Sequence, residues 1–438
     1  MRIGQIAIDT TPLRQSKDFR LLFTGRMVSQ AGNAIATTAA NWQVFALTHS
    51  SLHVGLLTLA NSAGQFAGML TGGILADTYD RRLVMLASRV PLTLVAAALT
   101  VNSLFHHPLL WAVYVLVLAS GALSGLGSPA STAAVPAVVR TDQLPAAAAL
   151  NAMGGQLGQL GGPALAGILI AGPGLAVCYG IDAACLAVFG ITLWFIRPLP
   201  PTMTAPTGMV SASTGIRPGL RSMAEGLRYV TRNSVVGGML AVDTSAMIFG
   251  MPSALFPAIA SEHFHGGSAT FGLLASAPGF GALLGAATSG WTGRLRRPGV
   301  VVIIAGLAWG AAIVAFGLSD NLALSLAFLA LAGMADLFSE VLRNTLLQLY
   351  TPDQLRGRVT SVYLAQVTTA PSLGNFEAGL VAQLFSTTIS VVSGGLVCVA
   401  GALLLGVLNP ALRNASLAGP TPAADPGTEL TPPEPAST

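Results

Sequence analysis

The feature that most constrains this chain is a series of long apolar segments separated by short polar loops. Charged residues make up only 9% of the 438 residues, hydrophobic residues make up 53%, and the mean hydropathy is +0.68. Soluble domains carry about 25% charged residues, and about 20 apolar residues cross a bilayer as a helix. The sequence therefore predicts an all-α polytopic membrane protein. Its twelve predicted spans are 19–47, 54–76, 83–104, 109–138, 145–171, 174–196, 234–261, 269–293, 299–319, 321–349, 356–384 and 388–408.

Two patterns recur about half a chain apart, which predicts two related halves. Residues 72–82 (GGILADTYDRR) are echoed by 290–297 (GWTGRLRR), and 140–144 (RTDQL) by 351–355 (TPDQL). The predicted organisation has five parts. They are an N-terminus at 1–18, a six-helix bundle at 19–196, a linker with a short amphipathic helix at 197–232, a second six-helix bundle at 233–410 and a disordered tail at 411–438.

The basic residues predict the orientation in the membrane. Arginine and lysine lie before the first span and in the even-numbered connections, whereas the opposite loops carry histidines and acids. By the positive-inside rule, both termini are expected in the cytoplasm, with the chain in the cell inner membrane. The net charge of +4 thus reflects topology, and no nucleic-acid partner is expected.

Few residues offer enzymatic chemistry. Lys17 is the single lysine, which excludes a P-loop and any Schiff-base enzyme that uses an internal lysine. The three cysteines fall in apolar spans without metal-ligand spacing and are expected to behave as small hydrophobes. We therefore expect neither an enzyme nor a cofactor or metal site.

The first predicted span carries a polar stripe. Five polar residues at spacings of 4, 3, 4 and 4 share a helix face about 80° wide: Arg26, Gln30, Asn33, Thr37 and Asn41. One interpretation is that the stripe forms a wall of a hydrated pathway. The other is that Arg26 reaches the inner membrane surface and the amides bond to neighbouring helices.

Acids inside the predicted spans need a partner or a function, because a charge at the bilayer centre costs about 2.5–3.5 kcal/mol. Asp243 and Glu377 have no basic residue nearby in sequence and are candidate proton carriers, unless they lie near the outer surface and stay hydrated. Asp182 is expected to be an interfacial residue at the outer face.

In the tenth span, Asp336, Glu340 and Arg343 share one face. Glu340 and Arg343 can neutralise each other, which leaves Asp336 as the less compensated acid and a third candidate for proton coupling. The cluster fits a structural ion pair and a functional site equally well.

Two further segments suggest movement. The turn between the second and third spans contains Gly73, Asp77, Arg81 and Arg82, here called the gate motif, which is either a breakable set of ion pairs or an ordinary topogenic loop. The fifth span is rich in glycine around Gly158, Gly162 and Pro163, which predicts either a hinge or tight static packing.

These motifs resemble those of the major facilitator superfamily. Residues 72–82 resemble the signature loop between the second and third helices of that family, and Gly158, Gly162-Pro163 and Gly167 resemble a degenerate form of its exporter motif. Within the superfamily, the chain most resembles siderophore exporters of the enterobactin-exporter type. The matching segments include 48–56 (THSSLHVGL), 255–260 (LFPAIA), 288–294 (TSGWTGR) and 357–359 (GRV).

The resemblance implies twelve helices in two pseudo-symmetric six-helix bundles, a central cavity, a gate motif that latches the cytoplasmic side, and proton-driven export of a small molecule. Asn33 stands where many relatives have an acid. We expect a monomer that exports an enterobactin-like catecholate siderophore to the periplasm by alternating access. The alternatives are a multidrug efflux antiporter for lipophilic drugs and a non-transporting scaffold. The residues expected to bind substrate are Arg26, Asn33, Asn41, Trp42, Gln65, Gln366 and Phe376.

Overall fold

A computed structural model describes residues 10–200 and 216–417. The predicted disordered tail, the centre of the linker and the first nine residues lie mostly or wholly outside these ranges. Twelve long helices dominate the described residues, which form no strand. They are α1 (Lys17–Thr48), α2 (Ser51–Thr78), α3 (Arg81–Leu104), α4 (Leu110–Val138), α5 (Leu144–Ala171), α6 (Leu175–Trp194), α7 (Ser234–Phe249 and its continuation to His263), α8 (Ser268–Thr288), α9 (Pro298–Gly317), α10 (Leu322–Tyr350), α11 (Asp353–Leu384) and α12 (Thr387–Leu408). The predicted all-α membrane fold is confirmed.

The twelve helices differ in how apolar they are. Eight are long and apolar enough to cross a membrane by length and composition, namely α3, α4, α6, α7, α8, α9, α10 and α12. The four less apolar helices are α1, α2, α5 and α11. These four carry more polar residues because they face the polar interior of the molecule or the contact between its halves, as described below.

The seventh predicted span is not one continuous α-helix. Its α-helical part ends at Phe249, and a 3₁₀ turn, Ser253–Leu255, and a π-helical turn, Ile259–His263, follow. Pro252 lacks an N–H and interrupts the helical ladder. The backbone groups released by the break are bonded by side chains: the amide oxygen of Asn375 accepts from the Ala254 N–H at 2.9 Å, and Trp309 donates to the Gly250 carbonyl at 2.8 Å. Irregular backbone at membrane depth requires such partners.

Glycines set equivalent close contacts in the two halves. In the N-terminal bundle, Gly68 of α2 packs on the backbone of Ala122 in α4, where an added Cβ would clash. In the C-terminal bundle, Gly333 of α10 packs in the same way on the backbone of Pro278 in α8. Since α2 and α4 hold the positions in the first half that α8 and α10 hold in the second, the two bundles are related as predicted.

The bundles meet mainly through two pairs of helices, α2 with α11 and α5 with α8, and less extensively through α1 and α7. We call the end of the molecule at which α1 begins the basic end, because the arginines of the α2–α3, α4–α5, α8–α9 and α10–α11 connections lie there. Three close contacts between the bundles lie in the half of each helix that is farther from the basic end. Gly55 packs on the Phe376 backbone, Gly167 packs on Gly272, and the hydroxyls of Ser62 and Ser372 are hydrogen-bonded.

The linker forms the helix that its amphipathic pattern predicts, Ile216–Arg232. This helix packs on the basic end of the C-terminal bundle. Glu225 forms an ion pair with Arg358 of α11 at 2.6 Å, and the Tyr229 hydroxyl donates to the Tyr350 carbonyl at 2.5 Å. Val230 is buried in the same contact. Part of the apolar face of this helix is therefore buried against the C-terminal bundle.

Candidate functional site

The N-terminal bundle encloses a polar cavity of about 330 Å³. All six of its helices contribute to the wall. The residues that line it include Arg26, Gln30, Asn33, Asn61, Gln65, Arg89, Ser120, Ser124, Ser128, Ser131, Gly158, Asp182 and Phe189. Its volume is at the lower end of the range of pockets that bind drug-sized molecules. The cavity therefore has room for a small ligand, and its wall consists mainly of hydrogen-bonding groups.

Two arginines and one acid charge this cavity. Arg26 comes from α1, Arg89 from α3 and Asp182 from α6. The Arg89 guanidinium lies 4.9 Å from the centre of the Phe189 ring, a cation–π contact that holds it in place. The balance of one excess positive charge makes the cavity suited to an anion.

The expectation that Asp182 is an interfacial residue was wrong. Its side chain is buried, with 7% exposure, and one carboxylate oxygen has no hydrogen-bond partner among the described residues. The sequence position near the start of the sixth span suggested a hydrated site. Gly32 of α1 instead leaves room for α6 to pack so closely that an added Cβ would lie 2.9 Å from that carboxylate.

A narrower cleft of about 40 Å³ adjoins the cavity and shares Asn33, Asn61, Ser120 and Asp182 with it. Thr37 and Asn41 line this cleft. All five members of the polar stripe on α1 therefore face the two adjoining spaces. This placement agrees with the interpretation that the stripe forms a wall of a pathway.

The seven residues expected to bind substrate do not share one cavity. Arg26, Asn33 and Gln65 line the N-terminal cavity, and Asn41 lines the adjoining cleft. The other three lie elsewhere. Trp42 stacks on Phe271 of α8 at 5.6 Å between ring centres, Phe376 lies where α11 meets α2, and Gln366 is in the C-terminal bundle.

The C-terminal bundle holds a second group of buried charges, which lies between α7, α10 and α11. Arg343 and Asp243 face each other at 2.8 Å, both almost fully buried. Their angle does not allow a good hydrogen bond through that carboxylate oxygen. The other oxygen of Asp243 accepts from the Gln366 amide at 2.9 Å, and Arg343 also donates to the Ser339 hydroxyl at 2.8 Å.

This arrangement corrects two expectations. Asp243 is not isolated, because Arg343 approaches it from α10, a helix a hundred residues away in sequence. Arg343 does not pair with Glu340, but contacts Asp243 and, at 3.4 Å, Asp336. Within the described part of the chain, Glu340 has no ion pair, so it is the less compensated acid of α10.

Glu377 lies on α11 close to the contact with α2 and is partly exposed. No hydrogen bond or ion pair joins it to another described residue. Its neighbours Phe376 and Gly379 pack on the backbone at the start of α2. Glu377 is therefore near the end of the molecule opposite the basic end.

The gate motif forms no internal ion pair in this conformation. The Asp77 carboxylate is exposed and has no partner among the described side chains. Arg82 instead donates to the carbonyls of Leu193 and Trp194 at 3.0 and 2.7 Å, and Arg81 donates to the Ala133 carbonyl at 3.1 Å. The arginines thus bind the ends of neighbouring helices of their own bundle.

The glycine- and proline-rich segment of α5 remains helical and makes close contacts with two neighbouring helices. The helix runs from Leu144 to Ala171 without a break at Pro163. Gly162 packs against Ala34 of α1, and Gly167 packs on α8. In this conformation the small residues allow α5 to pack closely on α1 and α8. Tight packing was one of the two interpretations of the sequence.

The sequence analysis missed several residues of the cavity. Arg89 lies inside the third predicted span and was not predicted to line a cavity, and Asp182 was expected at the outer face. Four serines of α4 also escaped notice, although their spacing of 4, 4 and 3 puts them on one helix face: Ser120, Ser124, Ser128 and Ser131. That spacing was a signal that could have identified the second polar wall.

The fold and the polar cavity define a membrane transporter of the major facilitator class. The chain belongs to the transmembrane secretion effector family of that superfamily, whose family model matches residues 8–424. Solved structures share the fold. A POT family transporter in complex with 5-aminolevulinic acid superposes with a TM-score of 0.72 at 14% identity, covering 91% of this chain and 97% of its own. An inward-facing, unoccupied bacterial homologue of the lysosomal transporter Spinster gives 0.67 at 15% identity, covering 93% of this chain and 98% of its own.

Curated relatives are more similar in sequence. The enterobactin exporter of Shigella boydii serotype 18 is 31% identical over 396 residues, which cover 90% of this chain and 92% of the exporter. The enterobactin exporter of Citrobacter koseri is 31% identical over 402 residues, which cover 92% of this chain and 94% of the exporter. The resemblance stated from the motifs is thereby confirmed at the level of the family.

Proposed function

We propose that this protein exports an anionic siderophore of the enterobactin-like catecholate type from the cytoplasm to the periplasm. The observation that carries the proposal is the pair of arginines, Arg26 and Arg89, in the N-terminal cavity of a chain related to enterobactin exporters. Guanidinium groups form strong, charge-assisted hydrogen bonds with anionic oxygens. The amides and hydroxyls around them supply donors and acceptors for the phenolic groups of such a ligand.

Transport proceeds by alternating access in this proposal. The described contacts between the bundles, at Gly55, Ser62 and Gly167, all lie away from the basic end. By the positive-inside rule, the basic end faces the cytoplasm, and the protein lies in the cell inner membrane in this proposal. The structure then corresponds to an inward-open carrier, in which the substrate enters from the cytoplasm. Rocking of the bundles would break these contacts and bring the gate motif together.

The C-terminal bundle is the proposed site of proton coupling. Three acids, Asp243, Asp336 and Glu340, lie near Arg343 there, so the ionised cluster would carry an excess of two negative charges around the buried pair of Asp243 and Arg343, which is costly. A proton on one carboxylate lowers that cost. The proposed proton-coupling acids are Asp243 and Asp336 of this cluster and Glu377, which lies near the periplasmic end. Glu340, the less compensated acid of α10, is added to them in this proposal.

The substrate-binding residues are proposed to act in different steps. Arg26, Asn33, Asn41 and Gln65 contact the substrate in the inward-open state. Trp42, Gln366 and Phe376 lie at or beyond the contact between bundles and become available as the bundles move. A single chain holds both bundles, so we propose a monomer as the working unit.

The test compares metabolites released under iron starvation by a deletion strain, by its parent and by strains that carry variants. We expect the deletion strain to lose release of one catecholate. Arg26→Ala should reduce its release about 10- to 100-fold, because a charge-assisted hydrogen bond contributes about 1.5–3 kcal/mol. Arg140→Ala, which removes an exposed loop arginine, is the matched control. Unchanged siderophore release by the deletion strain would refute the proposal.

Drug susceptibility of the same strains tests the alternative of a multidrug antiporter. Two arginines in the cavity repel lipophilic cations, so the geometry favours the anion. A deletion strain that becomes drug-sensitive and still secretes its siderophore would support the alternative.

A further inference from the structure

We propose that Arg26, Arg89 and Asp182 form a subsite for an aromatic anion that bears a hydroxyl group next to its anionic oxygen. In this subsite the arginines bind the anionic oxygen, and Asp182 accepts a hydrogen bond from the hydroxyl. The inference rests on the proposed function and deepens it, because it assigns the recognition of one catechol unit to three residues of the N-terminal bundle alone.

The first support is the state of Asp182. Its side chain is more than nine-tenths buried, it lines both the cavity and the adjoining cleft, and one of its oxygens has no hydrogen-bond partner in the described part of the chain. A buried acceptor without a donor is costly. Asp182 lines the cavity, so a ligand hydroxyl bound there can donate to its carboxylate and supply a partner.

The second support is the state of Arg89. Its Nε is buried and has no hydrogen-bond partner among the described residues, although the Phe189 ring fixes the position of the guanidinium group. Arg89 lines the cavity, so its guanidinium group can donate hydrogen bonds to an anion bound there. Arg26 lines the same cavity, so the arginines outnumber the acid even when Asp182 is ionised.

Asp182 thereby determines specificity. The arginines attract an anion that has no neighbouring hydroxyl, but the Asp182 carboxylate repels it. When the anion bears such a hydroxyl, the hydroxyl donates a hydrogen bond to the Asp182 carboxylate, and the repulsion is offset. A site that is built to bond a ligand hydroxyl discriminates strongly against the analogue that lacks it, because the buried group stays unpaired.

The test is titration calorimetry of the purified full-length protein with 2,3-dihydroxybenzoate and with benzoate. We expect the wild-type protein to bind the dihydroxy compound more tightly. Arg89→Gln should weaken the binding of both compounds about 10- to 100-fold, and Arg89→Lys should restore part of the loss. Arg140→Gln, in an exposed loop, is the matched control and should bind both compounds as the wild type does.

Asp182→Ala gives the sharper result. We expect this variant to lose the preference for 2,3-dihydroxybenzoate and to bind benzoate more tightly than the wild type, because the repelling carboxylate is gone. A purely structural role of Asp182 would instead weaken the binding of both compounds. That result, or a preference that survives the substitution, would overturn the proposal, as would normal binding by Arg89→Gln.

The subsite and the transport function can fail separately. If the wild-type protein binds neither compound while the deletion strain loses siderophore release, the subsite is wrong and the proposed function stands. If binding follows the expected pattern while the deletion strain secretes normally, the subsite stands and the proposed function is wrong.

Discussion

The charged residues of the N-terminal cavity and of the C-terminal cluster have opposite balances. The N-terminal cavity holds two arginines and one acid, whereas the C-terminal cluster holds one arginine among three acids. Because an isolated charge is costly at membrane depth, each excess must serve a ligand, a proton or a conformational change. Attraction of an anion at one site and of protons at the other is the combination that a proton-driven exporter of an anion requires.

Arg343 is the residue on which the C-terminal cluster depends. We expect Arg343→Met to destabilise the protein by about 3–5 kcal/mol, because it leaves a buried acid uncompensated. Thermal unfolding of the purified protein measures the loss.

The double variant Asp243→Asn/Arg343→Met removes both charges of the 2.8 Å pair and should recover most of that stability. A double variant as unstable as Arg343→Met alone would contradict the electrostatic explanation. In that case the packing of the long side chain, and not its charge, would be the important factor.

At the scale of elements, the proposed mechanism requires the charged groups at the junction of α2 and α3 to change partners. Its arginines bind helix ends of their own bundle, and Asp77 is exposed. We expect Asp77→Asn to slow transport in membrane vesicles and to leave the thermal stability of the purified protein unchanged, since no described side chain bonds to this carboxylate in the observed conformation.

Asp142→Asn serves as the control for Asp77→Asn. Asp142 is also an exposed acid at the basic end, where it pairs with Arg140 on the surface, and its substitution should affect neither quantity. Normal transport by Asp77→Asn would show that the gate motif is an ordinary loop, as a non-transporting scaffold predicts.

The contact between α5 and α8 depends on Gly167. A Cβ at this position would lie 2.7 Å from the Ser268 carbonyl oxygen and 2.8 Å from the Gly272 Cα, so the backbones must separate. We expect Gly167→Ala to disfavour the observed conformation by about 1–3 kcal/mol, the usual cost of overpacking. The measurement is the accessibility of single cysteines placed at the end opposite the basic end, which should increase.

Gly161 provides a control within the same helix. A Cβ at Gly161 meets no atom within 4 Å, so Gly161→Ala should leave the accessibility unchanged. Equal effects of the two substitutions would mean that helix propensity, and not the contact between bundles, determines the result.

At the scale of the whole molecule, the proposed alternating access requires the two bundles to separate where they now touch. The hydroxyls of Ser62 and Ser372 bond across the contact of α2 with α11. In a background in which Cys178, Cys185 and Cys398 are replaced, Ser62→Cys/Ser372→Cys should form a disulfide under mild oxidation and stop transport. A reductant should restore it, and Ser62→Cys alone should transport under both conditions. Full transport by the cross-linked protein would exclude rocking of the bundles at this contact.

The sequence by itself determined the class of fold, the number of helices and the polar face of α1. Apolar length, helical spacing and the repeated motifs are local properties, and local properties suffice for these conclusions. The sequence also indicated the amphipathic linker helix, because its two faces are visible at a spacing of three and four residues.

Only the tertiary structure decided which buried charges meet. Asp243 and Arg343 are a hundred residues apart, and Asp182 and Arg89 are more than ninety apart, so no helical spacing relates them. Their proximity follows from the packing of helices that are distant in sequence, to which glycines such as Gly32 beside Asp182 contribute. A linear pattern gives the face on which a side chain lies, whereas the packing of all six helices in a bundle decides what that face meets.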